Sequence, residues 1–368
     1  MEWIEKTLGE LGDIVGGATP STKHEEYYGG DIAWITPKDL SLFKGRYISC
    51  GERSITEAGL ASCSAQMMPS NTVLFTSRAP IGYVAIARQS VCTNQGFKSV
   101  VPHECVDSLF LYYLLKFNKE RIEAMGSGTT FKEVSGKTMK AVQVRIPCKI
   151  EDQKKIASIL DSIDSKIENN AKINDNLQQQ AQAIYASMFI DNANPTWQQG
   201  HLSDLVTVRY GKDHKKLANG IYPVYGSGGI MRHVERPLYD KESVLIPRKG
   251  TLNNVIYVNQ PFWSVDTMFY TEMRLPNVAK FVYHFVKAKD LESMNAGSAV
   301  PSMTTDILNA MEVAIPPVSV LEEFESLVAP MYRAIQENDA QSKKLADLRD
   351  ILLPKLMSGE IDVSDVKL

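Results

Sequence analysis

No stretch of this chain approaches the roughly 20 consecutive apolar residues that span a bilayer, so no membrane segment is expected. The opening residues, MEWIEKTLGELGDIV, mix acids with apolar side chains and lack the unbroken apolar block of a secretory leader. Cysteine is scarce. Cys50, Cys63, Cys92, Cys105 and Cys148 are odd in number and contain no C-x-x-C, which speaks against a disulfide framework or zinc site. Reduced, mostly structural thiols in a cytoplasmic protein are expected instead. No G-x-x-x-x-G-K-[ST] loop is present, so no ATP motor is encoded. The six histidines show neither H-E-x-x-H nor any paired metal spacing. The segment NQPF at 259–262 comes nearest to the Asn/Asp-Pro-Pro-aromatic loop that holds a flipped adenine, but Gln260 stands where the first proline belongs. No glycine-rich cofactor loop follows a strand. The expectation is a protein without catalytic residues, metal or cofactor.

An excess of either charge is also nearly missing: 40 basic and 43 acidic side chains leave a net value of −3, which is unevenly placed. Residues 318–368 hold six basic and ten acidic side chains, whereas residues 1–148 hold 16 and 15 and residues 191–317 hold 13 and 12. Two near-neutral segments can each still turn one basic face outward.

What the chain does have is an internal repeat. Trp3-x4-Leu8-x2-Leu11 returns as Trp197-x4-Leu202-x2-Leu205. VLFTSRAPIGYVAI at 73–86 parallels VLIPRKGTLNNVIY at 244–257, and MGSGTTFKEVSGKTMKAVQVRIP at 125–147 parallels MNAGSAVPSMTTDILNAMEVAIP at 294–316. Each copy ends in Ile-Pro and is followed by a long heptad-like segment. In the first of these the apolar seam is Ile156, Leu160, Ile163, Ile167, Asn170, Asn174, Leu177, Ala181, Ile184 and Met188. Shifted by 168, the second reads Phe324, Val328, Met331, Ile335, Asn338, Ser342, Leu345, Arg349, Leu352 and Leu356. Both seams turn polar at the same two places. A buried amide in a helix seam penalises wrong registers, because a slip leaves it facing leucine. Two helices paired antiparallel would bring Asn170, Asn174, Asn338 and Ser342 together near the middle. The other possibility is two separate amphipathic helices, each packed on its own globular part. Pro330 lies within the second pattern and must either kink that helix or mark its start.

The expected fold is therefore α+β. Two similar globular domains, residues 1–148 and 195–317, alternate with two long helices, 149–190 and 318–357, in a pseudo-twofold repeat, and a polar tail, 358–368, follows. NTVLFTS, GYVAIA, KAVQVRIP, SVLIPR, NVIYV and AMEVAIP read as strands, and VDSLFLYYLLKFNKERIEAM and NVAKFVYHFVKAKDLESM as helices. The tail could also dock as an extra strand.

Several stretches resemble the specificity (S) subunits of type I restriction-modification systems. They are GGATPSTKHEEYYGGDIAWITPKDL (16–40), TSRAPIGYVAI (76–86), TNQGFKSVVP (93–102) and IPCKIEDQKKIASILDSID (146–164), followed more loosely by GSGGI (226–230), IPRKGT (246–251), SVDTMFY (264–270) and LPKLMSGEI (353–361). The motifs arrive in order over nearly the whole chain. The resemblance implies two target-recognition domains that each read one half of a split double-stranded DNA site. It implies an antiparallel helical spacer between the halves, whose outer faces bind two DNA adenine methyltransferase subunits. Two motor-nuclease restriction subunits would complete the complex, and the S subunit itself carries no catalytic site. The same chain would serve a fused methyltransferase-nuclease of type IIB-like organisation. A coiled-coil scaffold with two ligand-binding heads and no DNA is the reading from a different class.

Base edges in the major groove are read by Arg or Lys at guanine and by Asn or Gln at adenine, while phosphates take Lys, Arg, Ser and Thr. On that chemistry the first domain offers Thr22, Lys23, Lys38, Ser77, Arg78, Asn94, Gln95, Lys98, Lys132 and Lys137. Arg78, between a strand and a Pro-Ile-Gly turn, is the leading choice; the competing role is a hydrogen bond to turn carbonyls. Asn94 and Gln95 could equally stabilise their turn, and Lys132 and Lys137 could be solvated. The second domain offers Arg209, Lys212, Lys215 and Lys216 in the densest basic run, which could also be a solvated face. It adds Arg248, Lys249, Asn253 and Asn254 at the repeat position of Ser77 and Arg78.

Overall fold

The computed structural model describes residues 1–128, 132–294 and 302–366. It divides into two compact units: Met1–Lys172 with Asn338–Leu368, and Ile173–Glu337. The division cuts through both long helices, Ile150–Ala186 and Val318–Ser358, so each unit contains one globular part and a portion of each helix.

In the first unit Trp3–Thr7 pairs antiparallel with Gln143–Pro147. The chain then turns into a one-turn helix, Leu8–Leu11, whose two leucines are fully buried. That turn is set by Glu10, which accepts hydrogen bonds from the Thr7 backbone N–H at 2.7 Å and the Thr7 hydroxyl at 2.9 Å. The Thr7 backbone donor, helped by Lys6, holds the Glu10 carboxyl down at about 2. A five-stranded sheet follows in the order Gly12–Gly16, Lys98–Pro102, Val73–Ser77, Ile81–Ala87, Tyr47–Ile48. Its middle strand VLFTS is buried at every position, as a strand covered on both faces must be. A smaller sheet holds Ser54–Ile55, Tyr28–Ile35 and Cys92–Thr93.

The second unit repeats this plan with other residues. Gln198–His201 pairs antiparallel with Glu312–Ile315, and Asp204 accepts from the His201 backbone N–H at 2.8 Å above the buried Leu202 and Leu205. The larger sheet runs Val206–Tyr210, Met268–Met273, Ser243–Pro247, Ile256–Val258, and the smaller one Gly229–Val234, Asn219–Gly226, Trp263–Ser264. The central strand of each smaller sheet makes a parallel pair with a two-residue strand, Trp34↔Cys92 in the first and Val224↔Trp263 in the second. Fold class and repeat are thus α+β and twofold.

The long helices run antiparallel in each unit. In the first, Ile156, Ala157 and Leu160 share a core with Leu356 and Met357, and Asp164 accepts from Arg349 at 2.9 Å. In the second, Ala181 and Tyr185 share a core with Phe324, Val328 and Tyr332. Separate amphipathic helices without mutual contact are excluded. Pro330 lies well inside Val318–Ser358 and so does not mark a helix start.

Three local expectations change. The apolar run after residue 107 forms two helices, Ser108–Phe117 and Lys119–Ala124, which meet at Asn118, where the backbone leaves helical geometry at φ −88°, ψ 5° and the side chain donates to the Leu114 carbonyl at 2.9 Å. The second such run is helical only over Ala279–Lys287. Lys140 and Ala141, read as strand, belong to the helix Gly136–Ala141. Of the cysteines only Cys92 is fully buried, and burial pushes its thiol up to about 12; Cys50, Cys105 and Cys148 are exposed. The tail forms no strand through residue 366, yet it docks: Val363 is fully buried in the first core. Gly359 ends the second long helix at φ +80° against Trp3, where a Cβ would lie 2.6 Å from the indole nitrogen.

Candidate nucleic-acid interface

In the first unit several turns converge at the end of strand Val73–Ser77. The Ser77 N–H and hydroxyl both donate to the Gly96 carbonyl, at 2.7 and 3.2 Å, and the Val134 N–H donates to the Ser77 carbonyl at 3.0 Å. The Ala18 N–H donates to the Thr93 carbonyl at 3.0 Å, and the Thr19 hydroxyl to the Gln95 side-chain oxygen. Gly17 permits this approach, since a Cβ there would lie 2.1 Å from the Thr93 oxygen.

This convergence gathers Arg78, Gln95, Lys98, Lys132 and Lys137 around one turn cluster. Arg78 is partly exposed and its guanidinium lies 3.5 Å from Glu133. The Lys98 ammonium lies 3.6 Å from the same carboxylate. Lys132 and Lys137 are exposed. Asn94 is spent on its turn, accepting from the Gly96 N–H at 2.9 Å. Ser77 is a correction: its side chain is fully buried and bonded to Gly96, so it braces the turn and offers nothing to a ligand. Lys38 is drawn into a 2.6 Å ion pair with Glu52, which raises its pKa. Thr22 and Lys23 lie on an exposed loop.

The second unit builds its cluster from the corresponding turns. The Arg248 and Lys249 N–H groups both donate to the Thr267 carbonyl, at 2.8 and 3.2 Å. The Arg248 guanidinium stands 5.3 Å from the ring centroid of Tyr210, itself half exposed. Lys212 donates its N–H to the Ser264 carbonyl at 2.8 Å, placing the basic run beside residues 264–267. The Asn254 side chain donates to the Ser227 carbonyl at 2.7 Å and ties in the hairpin tip. Lys215 and Lys216 are exposed, but Asp213 lies among them, its carboxyl held low by the Lys215 backbone N–H. Two residues are drawn off: Arg209 pairs with Glu272 at 3.1 Å along the sheet, and Asn253 bonds Asp290 at 3.3 Å and the Glu292 N–H at 3.3 Å.

Among the seam amides, Asn170 is fully buried, and its amide nitrogen faces the Asn338 carbonyl at 3.3 Å, the Gln341 side-chain oxygen at 2.9 Å and the Ser342 hydroxyl at 3.1 Å. Asn174 is buried as well.

Two residues of the clusters escaped sequence reasoning. Tyr210, beside the basic run, carried a legible signal as an aromatic interleaved with cations. Glu133 carried none, because a search for cations and amides passes over an acid.

The profile described as Type I restriction modification DNA specificity domain matches residues 1–179 and 194–324. The specificity subunit of the type I restriction enzyme MjaIX of Methanocaldococcus jannaschii is 33% identical, over 99% of this chain and 95% of its own. The EcoR124I/EcoR124II specificity subunit of Escherichia coli is 31% identical over 45% of this chain and 41% of its own. The crystal structure of the S subunit from M. genitalium superposes with a TM-score of 0.64 at 19% identity, covering 97% of this chain and 96% of that one, which establishes the shared fold. With the profile covering both repeats and the MjaIX specificity subunit matched over nearly its whole length, this chain belongs to the type I restriction-modification DNA specificity family.

Proposed function

We propose that the chain is the DNA-recognition subunit of a type I restriction-modification complex acting in the cytoplasm, with domains 1–148 and 195–317 each reading one half of a bipartite duplex site. Specificity subunits are the recognition component of such systems and do no catalysis themselves. The observation that carries the split-site reading is the repetition of one cluster. In both units a turn leaving the central buried strand presents an arginine, Arg78 or Arg248, beside lysines and amide side chains. Arginine at a turn tip suits bidentate contact with guanine, and the surrounding exposed lysines suit phosphates.

The long helices act as the spacer. Helices of 37 and 41 residues are roughly 55–60 Å long at 1.5 Å per residue, or about 16 base pairs at 3.4 Å each. A few unread pairs between two short half-sites fit within that span. The amides of Asn170, Asn174 and Asn338 with the Ser342 hydroxyl fix the register of the spacer. Leu348 and Ile351 on one segment of the second helix, and Leu327 on another, are about half exposed and offer apolar contact to two DNA adenine methyltransferase subunits. Two motor-nuclease subunits complete the assembly.

The test is duplex binding by the full chain bound to its methyltransferase, measured against salt. Several phosphate contacts predict a steep linear fall of log affinity with log salt. A flat dependence without preference for duplex would reject DNA reading and favour a scaffold. Exchanging residues 195–317 for the equivalent part of a relative should change one half of the methylated site and leave the other intact.

A further inference from the structure

We propose that Glu133 is a positioning residue for Arg78 that trades non-specific affinity for base discrimination in the first domain. The proposal rests on the DNA reading above. An acid among cations that face phosphates is the wrong residue if attraction to the backbone is the sole aim, since like charge repels. Yet Glu133 is held in place by its backbone as well as by its side chain. Its N–H donates to the Ser127 carbonyl at 2.9 Å, the Ser127 N–H donates back at 3.0 Å, and its main chain also bridges Arg78. One carboxylate oxygen lies 3.5 Å from an Arg78 terminal nitrogen, and the other lies 3.6 Å from the Lys98 ammonium.

The consequence follows from how arginine reads a base. Its planar fork has five donors, and bidentate contact with guanine uses two of them in a fixed plane. A free arginine on a turn must lose its rotamer freedom on binding, whereas one already leaning on a carboxylate has lost much of it beforehand. Ser77, buried and bonded twice to Gly96, fixes the main chain beneath Arg78 from the other side. Arg78 is thus restrained at its base by Ser77 and near its tip by Glu133. The same carboxylate occupies Lys98 as well, so both cations are less available to phosphates of arbitrary sequence.

The test compares the full chain, with its methyltransferase, in wild-type form and as Glu133→Gln, Glu133→Asp and Arg78→Ala. Selection from a random duplex pool gives the preferred site, and titration against salt gives the non-specific term. Glu133→Gln should bind non-specific duplex more tightly, with a log–log salt slope steeper by roughly one as a cation is released to phosphate. Its ratio of specific to non-specific affinity should fall at least about fivefold, with relaxation confined to one half of the site. Glu133→Asp keeps the charge but shortens the reach, so discrimination should drop without the gain in non-specific binding. In the Arg78→Ala background, Glu133→Gln should cost no further discrimination. Unchanged discrimination, or equal loss of specific and non-specific binding, overturns the proposal. So does a further loss in the Arg78→Ala background, which would make Glu133 itself a base reader. If the wild-type protein selects no site and shows no salt dependence, the DNA reading falls and takes this proposal with it, a result separable from failure of the variants alone.

Discussion

Arg46 offers the most direct test of how the first globular part is fixed to its helix. It leaves the loop before strand Tyr47–Ile48 and is 5% exposed. Its guanidinium reaches Glu168 at 3.1 and 3.3 Å, the Asp161 carbonyl at 2.9 Å, the Ser165 hydroxyl at 2.9 Å and the Asp161 carboxylate. Its backbone N–H adds a bond to Glu168 at 3.1 Å. Residues 161, 165 and 168 lie on one face of the long helix at i, i+4 and i+7. Arg46→Met keeps most of the apolar stem and removes the cation. Breaking a buried ion pair from one side costs about 3–5 kcal/mol when the remaining charge is sealed from water. Asp161 and Glu168 keep 33% and 25% of their side-chain exposure, so water offsets part of that and about 2–3 kcal/mol is expected. In a unit of about 200 residues this lowers the melting temperature by roughly 4–12 °C, read by calorimetry on the full chain at neutral pH. Adding Asp161→Asn and Glu168→Gln removes the stranded charges and should recover half or more of the loss. A loss below about 1 kcal/mol would refute the clasp. So would a triple variant no more stable than the single one.

His284 is buried between the Gln182 side-chain oxygen at 2.7 Å and the Tyr332 hydroxyl at 2.8 Å, and burial depresses its pKa from 6.5 to about 4. The unfolded chain therefore takes up a proton that the folded chain refuses, so this term is fully present above pH 6.5 and is lost as pH falls from 6.5 to 4, by about 3 kcal/mol. Wild-type and His284→Phe stabilities should diverge in slope across that window, and parallel profiles would refute the assignment. Asn170→Leu with Asn338→Leu should raise the melting temperature, because the buried Asn170 side-chain oxygen has no partner among the described residues. It should also loosen helix register, read by engineered cysteine cross-links, and a less stable variant of single register would contradict the specificity role. Arg248→Ala with Lys249→Ala should flatten the salt slope of DNA binding by one to two, and an unchanged slope removes that turn from the interface.

The seams and the tryptophan-leucine repeat were legible because burial by periodicity repeats the same residue types. Leu8 and Leu11 recur as Leu202 and Leu205, and all four are fully buried. For the candidate interface, residue type and spacing point to the turns but not to which side chains remain accessible. Serine, asparagine and arginine serve a turn and a DNA groove equally well, and only burial separates Ser77 from Arg78. Partners distant in sequence left no local trace, as with Glu133 beside Arg78. The tail hid its docking for another reason: its polar composition masks Val363, which is buried in the core, and Ile361, which packs against that core.

The clasps show most clearly why a sequence repeat under-reports a structural one. The first globular part holds its helix through Arg46, on a loop, with Asp161 and Glu168 as acceptors. The second does so through Lys280, on the helix Ala279–Lys287, with Glu325 of the second long helix at 2.7 Å and Glu242 at 3.1 Å. Both cations are about 5% exposed and each is shared by two carboxylates. The residue type and the element that carries it differ, although in each copy the receiving helix is the one that follows the globular part. A buried cation between two acids strands charge when any member is lost, so the three are tied to one another rather than to their counterparts in the other copy. Leucines in a core can be retained position by position, because each is buried by the shape of the fold. An ionic clasp can arise wherever a head meets a helix, and the two copies have arrived at the same restraint by different residues.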